Sequence, residues 1–193
     1  MRNQQRKSKA SRAIACECGG ELRPAKFDGY DFSDYVGLNV TVSNVDGFKC
    51  TKCGGETVDG SLVNLVMNYT IMQVAKSPRR LNGGEARYLR RTLHATQEEL
   101  AEKMGIDRVT VADWERGANP ISPQHDYILR GFALGWMLAG NLITPECMVE
   151  ILGTVFKAVR RELPKKGTPS IALPDPNVMR KLMPPRGEMV ACA

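Results

Sequence analysis

Four of the six cysteines lie in two close pairs near the start of the chain, Cys16/Cys18 and Cys50/Cys53. Each pair runs on into the same three residues, Gly-Gly-Glu. The basic N-terminus has no apolar core and does not resemble a secretory signal, so a cytosolic chain is expected. In a cytosolic chain, close cysteine pairs favour a metal over disulfides. Four thiolates in tetrahedral geometry favour one structural zinc ion per chain, with iron as the alternative metal.

The first pair departs from the usual spacing of such a site. It is Cys-x-Cys, one residue shorter than the Cys-x-x-Cys-Gly of the second pair, so Cys16 is the ligand whose role the sequence leaves open. No histidine occurs before His94 that could replace it. The alternative is that all four cysteines are free, buried thiols in a domain without a metal.

The residues around and after the pairs predict the elements that would carry them. "ELRPAKF" predicts one strand, and the alternation of apolar and polar residues from Val36 to Val42 predicts a second, half-buried strand. Asp46-Gly47 predicts a turn, after which Phe48 leads into the second pair. "SLVNLVMNYTIMQVAK" predicts a helix that ends before Ser77-Pro78. A sheet this small has a thin core, and a metal would staple it.

A second segment, "ATQEELAEKMGIDRVTVADWERG", predicts two short helices joined by a tight turn. Thr96 and Glu99 predict a capping box that opens the first helix, and Gly105 permits the turn. Asp107 is predicted to cap the second helix, which Gly117 ends. Two short helices joined through a glycine turn are typical of a helix-turn-helix.

This segment resembles the Cro/phage-repressor (XRE) class of helix-turn-helix over roughly residues 84–131. The resemblance rests on Thr96-Gln97, on the spacing to Gly105 and on "DWERG". It implies that Gln97 touches a DNA phosphate and that an internal ion pair joins Arg90 to Glu115. It also implies that four residues on the outer face of the second helix meet base edges: Arg108, Val109, Thr110 and Asp113.

The residue types on that face suit these roles. Arg108 can read guanine through two hydrogen bonds, and Val109 or Thr110 can contact a thymine methyl group. Asp113 could accept a hydrogen bond from cytosine, and Arg116 is expected to meet phosphate. The alternative for both arginines is ordinary charge on a solvated helix.

The order of cysteine-rich domain, helix, linker and repressor domain resembles the MqsA-type antitoxins, whose N-terminal domain is a YgiT-like zinc finger. The two cysteine pairs and the insert "GYDFSDYVGLNVTVSNVDGFKC" carry the resemblance. It implies a homodimer that binds its own double-stranded DNA operator and an N-terminal domain that binds a toxin encoded by a neighbouring gene. The chain departs from the family in its Cys-x-Cys pair, its basic N-terminal arm and its length.

The predicted fold class is α+β: a small zinc-stapled antiparallel sheet with a helix, followed by an all-α helix-turn-helix domain of the XRE/Cro type with extra C-terminal helices. An apolar helix predicted after Thr144 would supply either a dimer contact or core for the monomer. The predicted divisions are a basic disordered arm at 1–13, the zinc-binding domain at 14–76, a linker at 77–84, the DNA-binding domain with its helical extension at 85–163, and a disordered tail at 164–193.

Composition and motifs exclude several classes of protein. No apolar run reaches the roughly 18 residues that a membrane span needs, so a cytoplasmic location is expected. The chain has only two histidines, neither near a plausible nucleophile, and four cysteines would close a zinc site to catalysis, so no enzyme is predicted. Three functions stay open: an autoregulating antitoxin of a type II pair, a phage- or plasmid-type regulator with a purely structural zinc finger and no toxin, and an adaptor that no longer binds DNA.

Overall fold

The computed structural model describes residues 14–159 and 170–183, and the predicted basic arm at 1–13 lies outside them. The N-terminal part is a sheet in the order β1-β2-β3-β4, with β5 paired to β3. The strands are β1 (Ile14–Ala15), β2 (Glu21–Asp31), β3 (Val40–Cys50), β4 (Glu56–Thr57) and β5 (Ile171–Leu173). A short helix, α1 (Ser33–Val36), joins β2 to β3.

Helices make up most of the remainder. They are α2 (Gly60–Lys76), α3 (Gly83–Thr92), α4 (Gln97–Met104), α5 (Arg108–Arg116), α6 (Pro123–Ala139), α7 (Pro145–Val159) and α8 (Pro176–Leu182). The α+β fold class predicted from the sequence is therefore confirmed, with the four cysteines close together in the sheet-bearing part. Within the described residues, no helix combines the length and the apolar character that crossing a membrane requires.

The long β2–β3 pair differs from the prediction at both ends of the second strand. Val36 ends α1, and Gly37 then adopts a left-handed conformation, so the strand begins only at Val40. Asp46-Gly47 forms no turn, because β3 runs through it unbroken to Cys50. A Cβ at Gly47 would lie 2.6 Å from the carbonyl oxygen of Thr57. This glycine therefore admits the neighbouring strand β4 and does not reverse the chain.

The segment predicted as a linker at 77–84 is held by a buried ion pair. Arg130 and Asp126, both on α6, have fully buried side chains and lie 2.6 Å apart. Asp126 also accepts a hydrogen bond from the Leu81 backbone N–H at 2.5 Å. The Arg130 guanidinium donates to four backbone carbonyl groups, those of Val74, Ala75, Ser77 and Arg79. Arg130 thus supplies donors to carbonyl groups in the last turn of α2 and in the segment that follows it.

Hydrophobic core residues continue from the sheet, through α2, into α3–α7 as a single cluster. The proposed division of the chain into separate domains at 77–84 stays a prediction. The first residue of α3 is Gly83, so the helix begins inside the predicted linker.

The predicted disorder at 164–193 is wrong for residues 171–182. Ile171–Leu173 pairs in parallel with β3, which makes the sheet mixed and not purely antiparallel. Pro176 follows the N-cap Asp175 at the start of α8, and Met179 of that helix is fully buried. A segment rich in proline becomes ordered here because it covers an open edge of β3 and buries apolar side chains against α2. The predicted tail residues 164–169 and 184–193 lie outside the described residues.

Candidate metal centre and nucleic-acid interface

The four paired cysteines meet at one end of the β2–β3 ladder, where Leu22 is opposite Cys50. All four Sγ atoms lie within 4.8 Å of one another. Cys16 Sγ is 3.8 Å from Cys53 Sγ, and Cys18 Sγ is 3.5 Å from Cys50 Sγ. Ligands about 2.3 Å from a tetrahedral zinc ion are about 3.8 Å from one another. The spacing of the sulfurs therefore fits a metal held by four thiolates.

The repeated Gly-Gly has a structural reason in each turn. The first glycine of each repeat is left-handed, with φ of 77° at Gly19 and 73° at Gly54, a conformation that favours glycine. The second glycine lies against sulfur: a Cβ at Gly20 would be 2.6 Å from Cys50 Sγ, and one at Gly55 would be 3.3 Å from Cys53 Sγ. Both glycines of each repeat thus let the chain fold tightly around the cluster.

The short spacing of the first pair does not remove Cys16 from the cluster. The Cys16 N–H donates to the Gly20 carbonyl at 2.8 Å, and the Cys50 N–H donates to the Gly55 carbonyl at the same distance. The two turns therefore close with the same hydrogen bond, although the first contains one residue fewer. The structure brings together all four predicted ligands.

Backbone amides favour the thiolate form in the second turn. The Lys52 N–H donates to Cys50 Sγ, and the Gly55 N–H donates to Cys53 Sγ, each at 3.4 Å. Hydrogen bonds from the backbone N–H groups of Cys53 and Lys52 lower the pKa of the Cys50 thiol to about 6. Because the thiolate is the form that binds metal, this environment suits a ligand.

Local signals in the sequence build α4 and α5 nearly as predicted. The Thr96 hydroxyl accepts the Glu99 N–H at 3.1 Å, and the Glu99 carboxylate accepts the Thr96 N–H at 2.7 Å, which confirms the capping box. Gly105 and Gly117 end the two helices in left-handed conformations. The prediction for Asp107 is wrong in part, since it stands at the N-cap of α5 but its side chain makes no capping hydrogen bond.

The first turn of α3 packs directly on the last turn of α5. A Cβ at Gly83 would lie 2.3 Å from the carbonyl oxygen of Trp114 and 2.8 Å from that of Glu115. Sequence reasoning missed this role because "NGGE" reads as a flexible linker. The signal available was the capping box that Asn82 and Glu85 form around the two glycines.

Glu115 is the centre of a buried network that connects α3, α4 and α5. Its carboxylate accepts hydrogen bonds from Arg90 at 2.5 and 3.0 Å, from Gln97 at 2.9 Å and from Arg87 at 3.4 Å. Burial alone would raise the pKa of Glu115, but the hydrogen bonds from Arg90 and Gln97 outweigh it and hold the pKa below its ordinary value. The ion pair predicted between Arg90 and Glu115 is present.

The network extends to the outer face of α5. Arg108 Nη1 donates to Gln97 Oε1 at 3.2 Å, so Gln97 joins Glu115 to this arginine. The Arg108 side chain is 55% exposed, and Val109 beside it is 61% exposed although it is apolar. Thr110 follows Val109 and is half-buried. A solvent-exposed apolar side chain next to an exposed arginine is the combination that a base-reading helix would present.

Asp113 and Arg116 lie farther along α5. Arg116 Nη2 donates to Asp113 Oδ1 at 2.5 Å, and Asn119 Nδ2 donates to Asp113 Oδ2 at 3.1 Å. These donors offset the negative charge that Asp113 would otherwise bring to DNA. The six predicted DNA-binding residues thus lie on or beside one face, and their contacts with DNA stay predictions.

A family model described as Helix-turn-helix matches residues 87–125. The match begins in α3, includes all of α4 and α5, and ends in the first turn of α6. It supports a DNA-binding transcription regulator. No curated protein and no solved structure matches the chain. Because the match does not reach the cysteines, the resemblance to MqsA-type antitoxins stays a prediction.

Proposed function

We propose that the protein is a sequence-specific transcriptional repressor that inserts α5 into the major groove of a double-stranded operator. The observation that carries the proposal is the exposed pair Arg108 and Val109 at the start of α5, on a helix that the buried Glu115 network fixes against α3 and α4. A base-reading helix must present its side chains in one orientation. The network supplies that rigidity.

Each residue on this face has a role that follows from its position. Side chains in the first turn of a recognition helix reach base edges, so Arg108 would read guanine and Val109 a thymine methyl group. Gln97, at the start of α4, would donate to a phosphate and fix the register. Arg116, at the far end of α5, would meet the backbone of the operator.

We further propose that two copies bind the operator as a homodimer. Three large apolar side chains are strongly exposed on α6 and α7: Ile128 at 39%, Val149 at 70% and Phe156 at 47%. A symmetric contact between two copies through α6 and α7 would cover such side chains and present two α5 helices to successive half-sites, about 34 Å apart along the DNA.

The metal in this proposal is one zinc ion per chain, and its role is structural. Four cysteine ligands leave zinc no open position for a substrate, so no catalytic activity is assigned to it. Zinc binding would contribute to folding because it ties together the two cysteine turns at the end of the β2–β3 ladder. Mass spectrometry under native conditions tests this, with one zinc per chain expected; a stoichiometry far below one would reject the site.

The test of DNA readout is the substitution Arg108→Ala, with Arg23→Ala as the control. Arg23 is an exposed arginine on β2, far from α5 along the chain. Its replacement therefore removes the same positive charge as Arg108→Ala but leaves α5 unchanged. An operator selected from random DNA is measured against scrambled DNA. Loss of one bidentate base contact costs about 1–3 kcal/mol, or roughly 5- to 150-fold in the specificity ratio. Equal ratios for the two variants would contradict the assignment of α5 and favour an adaptor.

An antitoxin role is the second candidate, and the outer edge of β2 favours it. Among the described residues, β1 pairs with this edge only at Glu21 and Leu22, although β2 continues to Asp31. Such an edge can add a strand from a partner protein. Each neighbouring open reading frame is therefore expressed alone and with this chain. A neighbour that is toxic alone, neutralised by this chain and co-purified with it supports the antitoxin role. If no neighbour is toxic or bound, the protein is a regulator without a toxin.

A further inference from the structure

A cavity of about 810 Å³ opens between α2, the end of α3, α6 and α8. This volume lies within the range of about 300–1,000 Å³ that is typical of small-molecule sites. The apolar part of its lining comes from three segments that are distant in sequence: Leu65, Met67 and Ile71 of α2, Trp136 of α6 with Leu142 of the loop after it, and Met183 after α8.

Polar groups stand among these apolar side chains, and one of them, Arg180, is a cation. Among the described residues of the lining, Arg180 and His94 are the ionisable ones, and none carries a carboxylate. The amides of Asn64 and Asn68 and the hydroxyl groups of Ser61 and Thr92 complete the polar part. Arg180 donates a hydrogen bond to Asn177 at 3.2 Å. Asp59 lies close enough for the positive charge of Arg180 to act on the Asp59 carboxylate. A ligand carboxylate would therefore compete with Asp59 for Arg180.

We propose that this cavity binds a small amphipathic carboxylate, with its apolar body against Leu65, Ile71 and Trp136 and its carboxylate at Arg180. Apolar lining supplies affinity through burial, and a single cation fixes the orientation of the ligand. The guanidinium group suits a carboxylate because it can donate two parallel hydrogen bonds. No acidic side chain occurs among the lining residues that the structure describes, which disfavours a cationic ligand.

The position of the cavity connects it to the helix-turn-helix. Thr92 is the last residue of α3, and His94 follows in a left-handed conformation with φ of 54°. Two residues later, Thr96 caps α4. A ligand that contacts Thr92 and His94 restrains the turn from which α4 begins, while its other contacts are with α2, α6, the loop after α6, and α8. We therefore expect binding of the carboxylate to change the affinity for the operator. This consequence rests on the proposed function, whereas binding of the carboxylate to the cavity is independent of it.

Trp136 gives a direct readout of binding. The chain has two tryptophans, and the other, Trp114, is buried in α5 outside the cavity lining. The full chain is titrated with decanoate below its micelle concentration, and with decanol and decyltrimethylammonium as uncharged and cationic probes. Decanoate is expected to change the fluorescence saturably at one site per chain, and Trp136→Phe should remove that change.

The carboxylate assignment is tested with Arg180→Ala, and Arg23→Ala serves as the control. Arg180→Ala should lower the affinity for decanoate by about tenfold or more and the affinity for decanol by less than twofold. The control should leave both affinities unchanged. Asn64→Phe, at an exposed position of the lining, should obstruct both probes without adding a second tryptophan to the cavity. Non-saturable binding of decanoate, or equal affinity in wild type and Arg180→Ala, would overturn the proposal, as would preference for the cationic probe.

Operator affinity is then measured with and without decanoate, in wild type and in Arg180→Ala. A shift seen in wild type and lost in Arg180→Ala supports the link to the helix-turn-helix. Saturable binding with no shift rejects the link and leaves the carboxylate site standing. If the protein binds no operator at all, the proposed function fails, while the fluorescence titration still decides whether the cavity binds a carboxylate.

Discussion

Substitution of Gly83 by alanine tests how closely α3 and α5 must approach. Gly83 is the first residue of α3, and a Cβ there would lie 2.3 Å from the Trp114 carbonyl oxygen, whereas real Cβ atoms essentially never come within 3.0 Å of such a neighbour. The three nearest atoms that it would meet, the carbonyl oxygen of Trp114 and the carbonyl oxygen and carbon of Glu115, belong to the backbone of α5. They cannot rotate away, so one helix must move by more than half an ångström.

The cost of that movement sets the expected magnitude. Overpacking a close contact costs about 1–3 kcal/mol. Replacing glycine by alanine restores about 0.4–1 kcal/mol because the unfolded chain loses freedom. We therefore expect Gly83→Ala to lower the free energy of unfolding by about 1–2 kcal/mol and the melting temperature by about 4 °C. Operator affinity should also fall, because the displaced helix is α5.

Gly60→Ala is the matched control. Gly60 is likewise the first residue of a helix, after the N-cap Asp59, and nothing lies within 4 Å of a Cβ placed there. This variant should be neutral or slightly more stable than wild type. Urea unfolding followed by far-ultraviolet circular dichroism measures all three proteins. If Gly83→Ala were as stable as Gly60→Ala, the close approach of α3 and α5 described above would be wrong.

Three further predictions concern the ion pair, the network and the metal turn. Arg130→Met should lower the free energy of unfolding by about 3–5 kcal/mol in urea titrations, because it leaves Asp126 buried without its partner. Adding Asp126→Asn should recover part of this loss. A loss below about 1 kcal/mol would contradict the role of Arg130 in holding the segment after α2. Since the pKa of Glu115 is depressed, its stabilising contribution is present above its unfolded value near 4.5 and is lost as pH falls through the folded value. The stability difference between wild type and Glu115→Gln, measured by urea unfolding, should therefore shrink below about pH 4.5, and a difference independent of pH would refute this. Gly20→Ala should lower the affinity for zinc on the order of 10-fold, measured in competition with a chelator. Gly29→Ala should leave it unchanged, because the added Cβ would meet only an ordinary contact at 3.7 Å. Equal affinities in the two variants would show that the turn at Gly20 tolerates a side chain.

Features encoded by neighbouring residues could be predicted from the sequence. The capping box of Thr96, the left-handed glycines that end α4 and α5, and the tight turn within each cysteine pair all depend on residues a few positions apart. Their energies arise from hydrogen bonds and backbone conformations within one turn or one knuckle. For the same reason, the outer face of α5 could be assigned from helical spacing.

Predictions failed where distant residues decided the outcome. Asp46-Gly47 has the composition of a turn, but pairing with β2 on one side and the close approach of Thr57 of β4 on the other keep it extended. The proline-rich tail has the composition of disorder, yet Ile171–Leu173 pairs with β3. Propensity is a weak signal when a strand edge or an apolar surface elsewhere in the chain needs a partner.

The sequence by itself determined the kinds of chemistry that this protein can perform: thiolates in pairs for a metal, and a helix-turn-helix with an arginine and small apolar groups on its outer face. Only the tertiary structure decided how these parts are held. Arg130 satisfies carbonyls more than 50 residues away, and Glu115 joins three helices. The cavity at Arg180 exists only because α8 returns to α2. Such contacts depend on burial and geometry between segments that no local pattern connects.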